Sequence, residues 1–190
     1  MTSIPGIAVY EVSDANLTKK LLDLSLTDDH PMYIRCSVEP TRDIYPQNIE
    51  LHSGGSITCR AGDDGAFLCA GVTVQYALDA AEQLNEQYGV SIRVVDMYSI
   101  KPVDKDAIIS AAATGNIVVV HDHNVCGGLG SIIAPVIVES GLSTKFKILG
   151  IDDTYHTMAH AGYLYHKLGM DCDGLKTTME NMLGLSLKSM

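Results

Sequence analysis

Apolar residues fall in short blocks with two spacings, and the change of spacing marks where strands give way to helices. Ile7 to Val12 is an apolar run of strand length. Ser13-Asp14-Ala15-Asn16 then supplies helix-capping chemistry before Leu17, Leu21, Leu22 and Leu24, which recur at helical intervals. Pro31 to Cys36 reads as a second strand. Two strands and one helix bury too little surface to stand alone, so residues 1–45, a βαβ-like fragment, are expected to need a partner.

From Glu39 to Gly65 the chain turns polar and is punctuated by Pro40, Pro46, Gly54, Gly55, Gly62 and Gly65. This pattern predicts a linker with one hairpin, and a domain boundary at Pro46. Beyond it the alternation is regular. Strands are expected at Ala66–Ala70, Ile92–Met97, Ile117–His121 and Lys145–Ile151, and helices at Val72–Tyr88, Asp104–Ala113, Leu129–Ser140 and Asp173–Leu183.

In the first long helix Val74, Leu78, Ala81, Leu84 and Tyr88 share one face, while Asp79, Glu82, Asn85 and Glu86 lie elsewhere. Ile117-Val118-Val119-Val120 is apolar without alternation, as in parallel strands covered on both faces. The predicted fold is therefore α/β: a three-layer α/β/α domain with a mostly parallel sheet over residues 46–190, behind the fragment 1–45. No repeat or low-complexity segment interrupts it.

Composition sets limits on partners. The chain of 190 residues is 46% hydrophobic and 19% charged, ordinary for a globular protein. Its net charge of −10, with no local Lys/Arg cluster, repels phosphate backbones and anionic headgroups, so neither nucleic acid nor membrane is expected as a partner. Nothing resembles a membrane span or a secretory signal, and the cytoplasm is the expected location. The five cysteines, Cys36, Cys59, Cys69, Cys126 and Cys172, form no CxxC pair and read as reduced thiols.

Candidate chemistry gathers in Val118 to Ser131, where a strand ends in polar residues and a glycine-rich turn opens a helix. Gly127-Gly128-Leu129-Gly130 suits either of two purposes: aiming amides and a helix N-terminus at an anion, or allowing a tight turn with close packing. His121 and His123 alternate around Asp122, and His156, His160 and His166 follow, but the spacing alone assigns no metal ligands. Cys126 beside a helix start could pair with His123 as a nucleophile, or be an apolar turn residue. Asp63-Asp64, Asp152-Asp153 and the Asp171–Asp173 segment read as loops and caps.

The chain resembles the C-terminal region of transketolase-like, thiamine-diphosphate-dependent enzymes, especially split forms with separate N- and C-terminal subunits. Ile4-Pro5-Gly6-Ile7 through Asp14-Ala15, then Pro31-Met32-Tyr33-Ile34-Arg35, is similar to the end of that family's pyrimidine-binding domain. The C-terminal domain is matched by Ala70-Gly71 with Ala77 to Ala81, Val94 to Met97 with Ile100 to Asp104, and His123 with Gly127-Gly128-Leu129-Gly130. Ile151-Asp152-Asp153 and Leu168 to Asp171 continue the match. Pyruvate dehydrogenase beta chains and deoxyxylulose-phosphate synthases share several of these motifs.

The resemblance implies an enzyme moving a two-carbon ketol unit between sugar phosphates, using thiamine diphosphate and Mg2+ bound between subunits, with a homo-oligomer, a dimer, as the expected assembly. The family's Gly-Asp-Gly diphosphate motif is missing, since Gly62-Asp63-Asp64-Gly65 matches it only in outline, and the activating glutamate falls ahead of Met1 in the family order. Neither catalytic nor cofactor-binding nor metal residues are therefore expected in this chain. It should be inactive without an N-terminal section or subunit.

Two departures bear on the substrate. The family often has a second arginine after Tyr-Ile-Arg, whereas here Cys36 follows Arg35. Arg35 thus stands as the one candidate substrate ligand, with a structural salt bridge as its other reading. His121-Asp122-His123 replaces a common Glu-Glu-His. A free-standing regulatory domain binding a small anion near Gly127–Gly130 is the competing function, and a metal- or thiol-dependent hydrolase on His123 and Cys126 a third.

Overall fold

A computed structural model describes residues 1–185; residues 186–190, the end of the expected second domain, lie outside the described residues. In chain order the elements are β1 (Ala8–Glu11), α1 (Ala15–Ser25), β2 (Met32–Arg35), β3 (Ile57–Arg60), β4 (Gly65–Ala70), α2 (Thr73–Tyr88) and β5 (Ile92–Asp96). They continue with β6 (Ser99–Lys101), α3 (Lys105–Ala112), β7 (Asn116–Asn124), α4 (Leu129–Glu139), β8 (Lys145–Ile151), α5 (Ala161–Lys167) and α6 (Cys172–Leu183).

The main sheet has the order β3-β5-β4-β7-β8, parallel except for the edge strand β3. Its central strands are buried on both faces, so successive side chains feed two different cores. Leu68 and Val119 join Ile108 of α3 and Ile133 of α4 on one side. Phe67 and Val118 join Leu84 of α2 and Leu175 of α6 on the other. This is the expected three-layer arrangement, and each fully buried Leu, Val or Phe contributes roughly 1.5–3 kcal/mol.

The first segment does not stand apart. β1 lies between β2, parallel to it, and β6, antiparallel to it, so a strand following β5 completes its sheet. Val9 enters the core that holds Ile100 and Ile108, while Tyr10, Leu17, Leu21, Tyr45 and Tyr98 form a third cluster. Asp14 caps α1 through the Leu17 N–H at 2.7 Å, and its second oxygen accepts the N–H groups of Ile44 and Tyr45 at 2.8 Å each. The capping residue thereby ties the polar connection to the first segment.

The structure differs from the sequence expectation at four places. The connection holds the single strand β3, which takes the edge beside β5 in place of the expected hairpin. β6 was hidden behind Pro102 and too short to show a period. β7 runs three residues past His121, because pairing of Asn124 with Ile151 extends the ladder beyond the apolar run. α5 forms from Ala161 although Ala159 to Gly162 carries little helical patterning; Tyr165 buries in the core of α2 and α6.

Candidate functional site

The carboxyl ends of β1, β2 and β7 meet at one edge of the molecule, and their last side chains build a charged cluster. Glu11 and Arg35 are register partners on parallel strands, so the two side chains project together. Arg35 Nη1 donates to Glu11 Oε1 at 2.5 Å, and Nη2 donates to Asp122 Oδ2 at 3.3 Å. Partial burial works against the guanidinium charge, but the two carboxylates outweigh it and hold the Arg35 pKa above its ordinary value. Tyr165 donates to the same Asp122 oxygen at 3.1 Å, and its own hydroxyl pKa is raised by burial and by Asp122.

Alternation along β7 puts His121 and His123 on one face, and their rings stack at 5.2 Å with an 11° interplanar angle. His121 is buried, with Nε2 2.6 Å from Glu11 Oε2. The N–H of Leu129, at the first turn of α4, donates to His121 Nδ1 at 3.1 Å. One ring nitrogen therefore accepts, which leaves the ring proton on Nε2 to be donated to Glu11. The imidazole that stands where the family pattern often has Glu is thus matched by a carboxylate from another strand. Exposed His123 has Nδ1 3.0 Å from the carbonyl of Asn124.

The glycine turn is shaped by packing. A Cβ on Gly128 would lie 2.6 Å from the Asn124 carbonyl, and one on Gly130 2.7 Å from the Ile148 side chain. Gly127 has φ of +83°. Three amides of the turn are already bonded: Cys126 N–H to Asn124 Oδ1 at 2.7 Å, Gly127 N–H to Ser131 Oγ at 3.0 Å, and Leu129 N–H to His121.

Glu11, Tyr33, Arg35, His121, His123 and Gly128 line a cleft of about 310 Å3. The sequence candidates Arg35, His121, His123, Gly127 and Gly128 therefore converge, while Gly130 lies in the first turn of α4, packed against Ile148. Other candidates go elsewhere. Cys126 is exposed, and His156 and His160 precede α5 and share no helix face. His166 bonds Asp171, which caps α6, and with Asp173 these make the metal-ligand-like group among the described residues. Asp153 bonds Asn124 and Asp63 pairs with Arg93.

Sequence reasoning missed Glu11, which joins three strands through two oxygens. It also missed Asp96, which is buried on β5 and accepts from Ser13 and Tyr45. The signal that could have found them was a carboxylate at the end of an apolar strand in each case.

Residues 54–175 match the family model for the transketolase C-terminal domain, and the chain belongs to that family. It is 34% identical over 183 residues to one subunit of the apulose-4-phosphate transketolase of Phocaeicola vulgatus, covering 95% of this chain and 58% of that protein. It is 33% identical over 171 residues to a 6-deoxy-6-sulfo-D-fructose transketolase subunit of a Clostridium species, covering 90% and 52%. Among solved structures it matches a split-gene transketolase described as an inactive beta4 tetramer, with TM-score 0.88, 28% identity and coverage of 97% and 60%. The fold also matches Campylobacter jejuni transketolase, with TM-score 0.71, 14% identity and coverage of 94% and 27%. The chain thus spans a little over half the length of these two curated relatives.

Members of this family are generally thiamine-diphosphate enzymes, and the donor set here does not by itself fit a diphosphate with its divalent cation. Three amides of the glycine turn are bonded internally, and Arg35 faces two carboxylates. Gly62 to Gly65 leads into β4, at the end of the sheet opposite the cleft, where Asp64 accepts from Ser91 N–H and the Gly62 Cα packs against the β5 backbone.

Proposed function

We propose that this chain is the C-terminal part of a thiamine-diphosphate-dependent transketolase that moves two-carbon ketol units between sugar phosphates in the cytoplasm. An N-terminal section or subunit supplies the cofactor, its Mg2+ and the proton relay. This chain contributes oligomer contacts, in a dimer or larger assembly, and one wall of the active-site surroundings. The observation that carries the reading is the near-complete structural match to a split-gene transketolase chain, combined with a cleft at the carboxyl ends of strands from both sheets. Relatives described as separate transketolase subunits support a two-part enzyme.

The test is reconstitution with a matching N-terminal section. Ketol transfer from a ketose donor to an aldose acceptor should appear only in the mixture. An assembly that binds thiamine diphosphate but turns over no donor–acceptor pair would overturn the assignment.

A further inference from the structure

The three-stranded sheet is open on one side. β2 pairs with β1 and, among the described residues, with no other strand. The carbonyls of Pro31 and Arg35 accept the N–H groups of Ala8 and Val12, so the alternation turns the N–H and C=O groups of Met32 and Ile34 away from β1. Their side chains pack on the cluster that holds Leu17 and Leu21 of α1, which fixes the strand while its outer edge stays free.

The other sheet edges are blunted, and this one is not. β8 carries exposed Lys145 and Lys147, β3 has a register break between Thr58 and Arg60, and β6 is three residues long. β2 reads Met-Tyr-Ile before Arg35 and pairs with β1 without a break. Apolar surface gathers on the same segment. Met1, Ile4, Leu22, Leu26, Tyr33 and Val38 are half of the exposed large apolar side chains among the described residues, within the first fifth of the chain.

Two occupants suit such an edge, and the observations favour one. A second copy would pair two four-residue strands and bring together two chains of net charge −10, a short contact against mutual repulsion. Parallel strands, by contrast, belong to sheets covered on both faces, and β1, α1 and β2 are only part of one. The two curated relatives carry further length, since this chain covers 58% and 52% of them.

We infer that the open edge of β2 is where the N-terminal section docks, by adding a strand parallel to β2. The inference rests on the two-part reading above and names its contact. β2 ends in Arg35 at the cleft, so a parallel neighbour brings its own carboxyl end there and completes the cleft wall.

The test combines the full chain with a matching N-terminal section. Ile34→Pro removes an outward N–H without touching the bonds to β1, whereas Ile34→Ala trims the side chain but keeps the amide; Met32→Pro and Met32→Ala serve instead if Ile34→Pro does not fold. Sedimentation should show that the section associates with the unaltered chain and with Ile34→Ala, and at least about tenfold more weakly with Ile34→Pro. Hydrogen exchange, which needs no variant, should slow at least about tenfold at the Ile34 amide when the section is added. Equal association of the Pro and Ala variants would overturn the inference, as would unchanged exchange at Ile34 or no association at all. Self-association of the chain that Ile34→Pro abolishes would overturn it in favour of a second copy. Association without turnover counts against the transketolase assignment alone, so the two failures are read separately.

Discussion

The hydroxyl of Tyr45, in the connection between the two sheets, donates to Asp96 Oδ2 at the end of β5 across 2.7 Å, and both residues are buried. Ser13 donates to the same oxygen at 2.5 Å. The other oxygen, Asp96 Oδ1, has no partner among the described residues. One carboxyl thus joins the start of α1, the connection and the main sheet through hydroxyl donors alone.

Burial pushes the Asp96 pKa up to about 7; the bonds from Ser13 and Tyr45 lower it, and nearby Glu11 and Asp14 raise it. An unfolded aspartate titrates near about 3.9, so the folded state binds the extra proton between these values. The contribution to stability is full below the unfolded pKa and is lost as pH rises through about 7. Chemical denaturation between pH 5 and 8 should show stability falling with pH, at a slope of up to about 1.4 kcal/mol per pH unit from this group. Asp96→Asn should remove that component; an unchanged slope would show that Asp96 does not carry it.

Tyr45→Phe removes the hydroxyl that lies 2.7 Å from Asp96 and 3.1 Å from Cys59 Sγ. The loss should be about 1–3 kcal/mol, because a buried carboxyl loses one of its two donors. Urea denaturation checks it, and the double variant with Asp96→Asn should be non-additive, since the two groups share one bond.

His121→Ala should destabilise the chain by about 2–4 kcal/mol, as it strips Glu11 of one partner and orphans the buried Leu129 N–H at the start of α4. His123→Ala, on an exposed ring, should cost under about 1 kcal/mol. Equal losses in thermal or chemical denaturation would contradict the division of roles between the stacked pair.

Gly128→Ala should cost more than Gly130→Ala. The added methyl at Gly128 meets a backbone carbonyl that is fixed by the turn, whereas at Gly130 it meets the Ile148 side chain, which can shift. The first is expected at about 2–3 kcal/mol and the second at about 1–2 kcal/mol, read from unfolding midpoints.

Thiol labelling under native conditions should modify Cys36 and Cys126 first, since both are exposed. Cys69 is fully buried, and burial raises Cys59 and Cys172 to about 11, which leaves little thiolate near neutral pH. Mass spectrometry after brief alkylation at pH 8 reads the order; early labelling of Cys69 would contradict the packing of β4.

The ordering of strands and helices was written in local pattern. The unbroken apolar run Ile117–Val120 specified a doubly covered strand, and the helical stripe of Val74, Ala81 and Leu84 specified a helix against it, because a single period fixes which face must leave water. The turn at Gly127–Gly130 with His121 and His123 at a strand end was legible for the same reason, since the switch from apolar to polar residues marks where a strand leaves the core, whereas Arg35 stood out only through the family resemblance. What the tertiary structure alone decided is which side chains neutralise which. Glu11 is 24 residues from Arg35 and 110 from His121, and Asp96 is 83 from Ser13, so no local spacing relates them. Three-residue β6 joins β1 across a long loop of chain and brings the two sheets into one body. Pattern reports burial, which each segment encodes by itself, whereas charge pairing depends on distances that exist only once distant strands have been laid side by side.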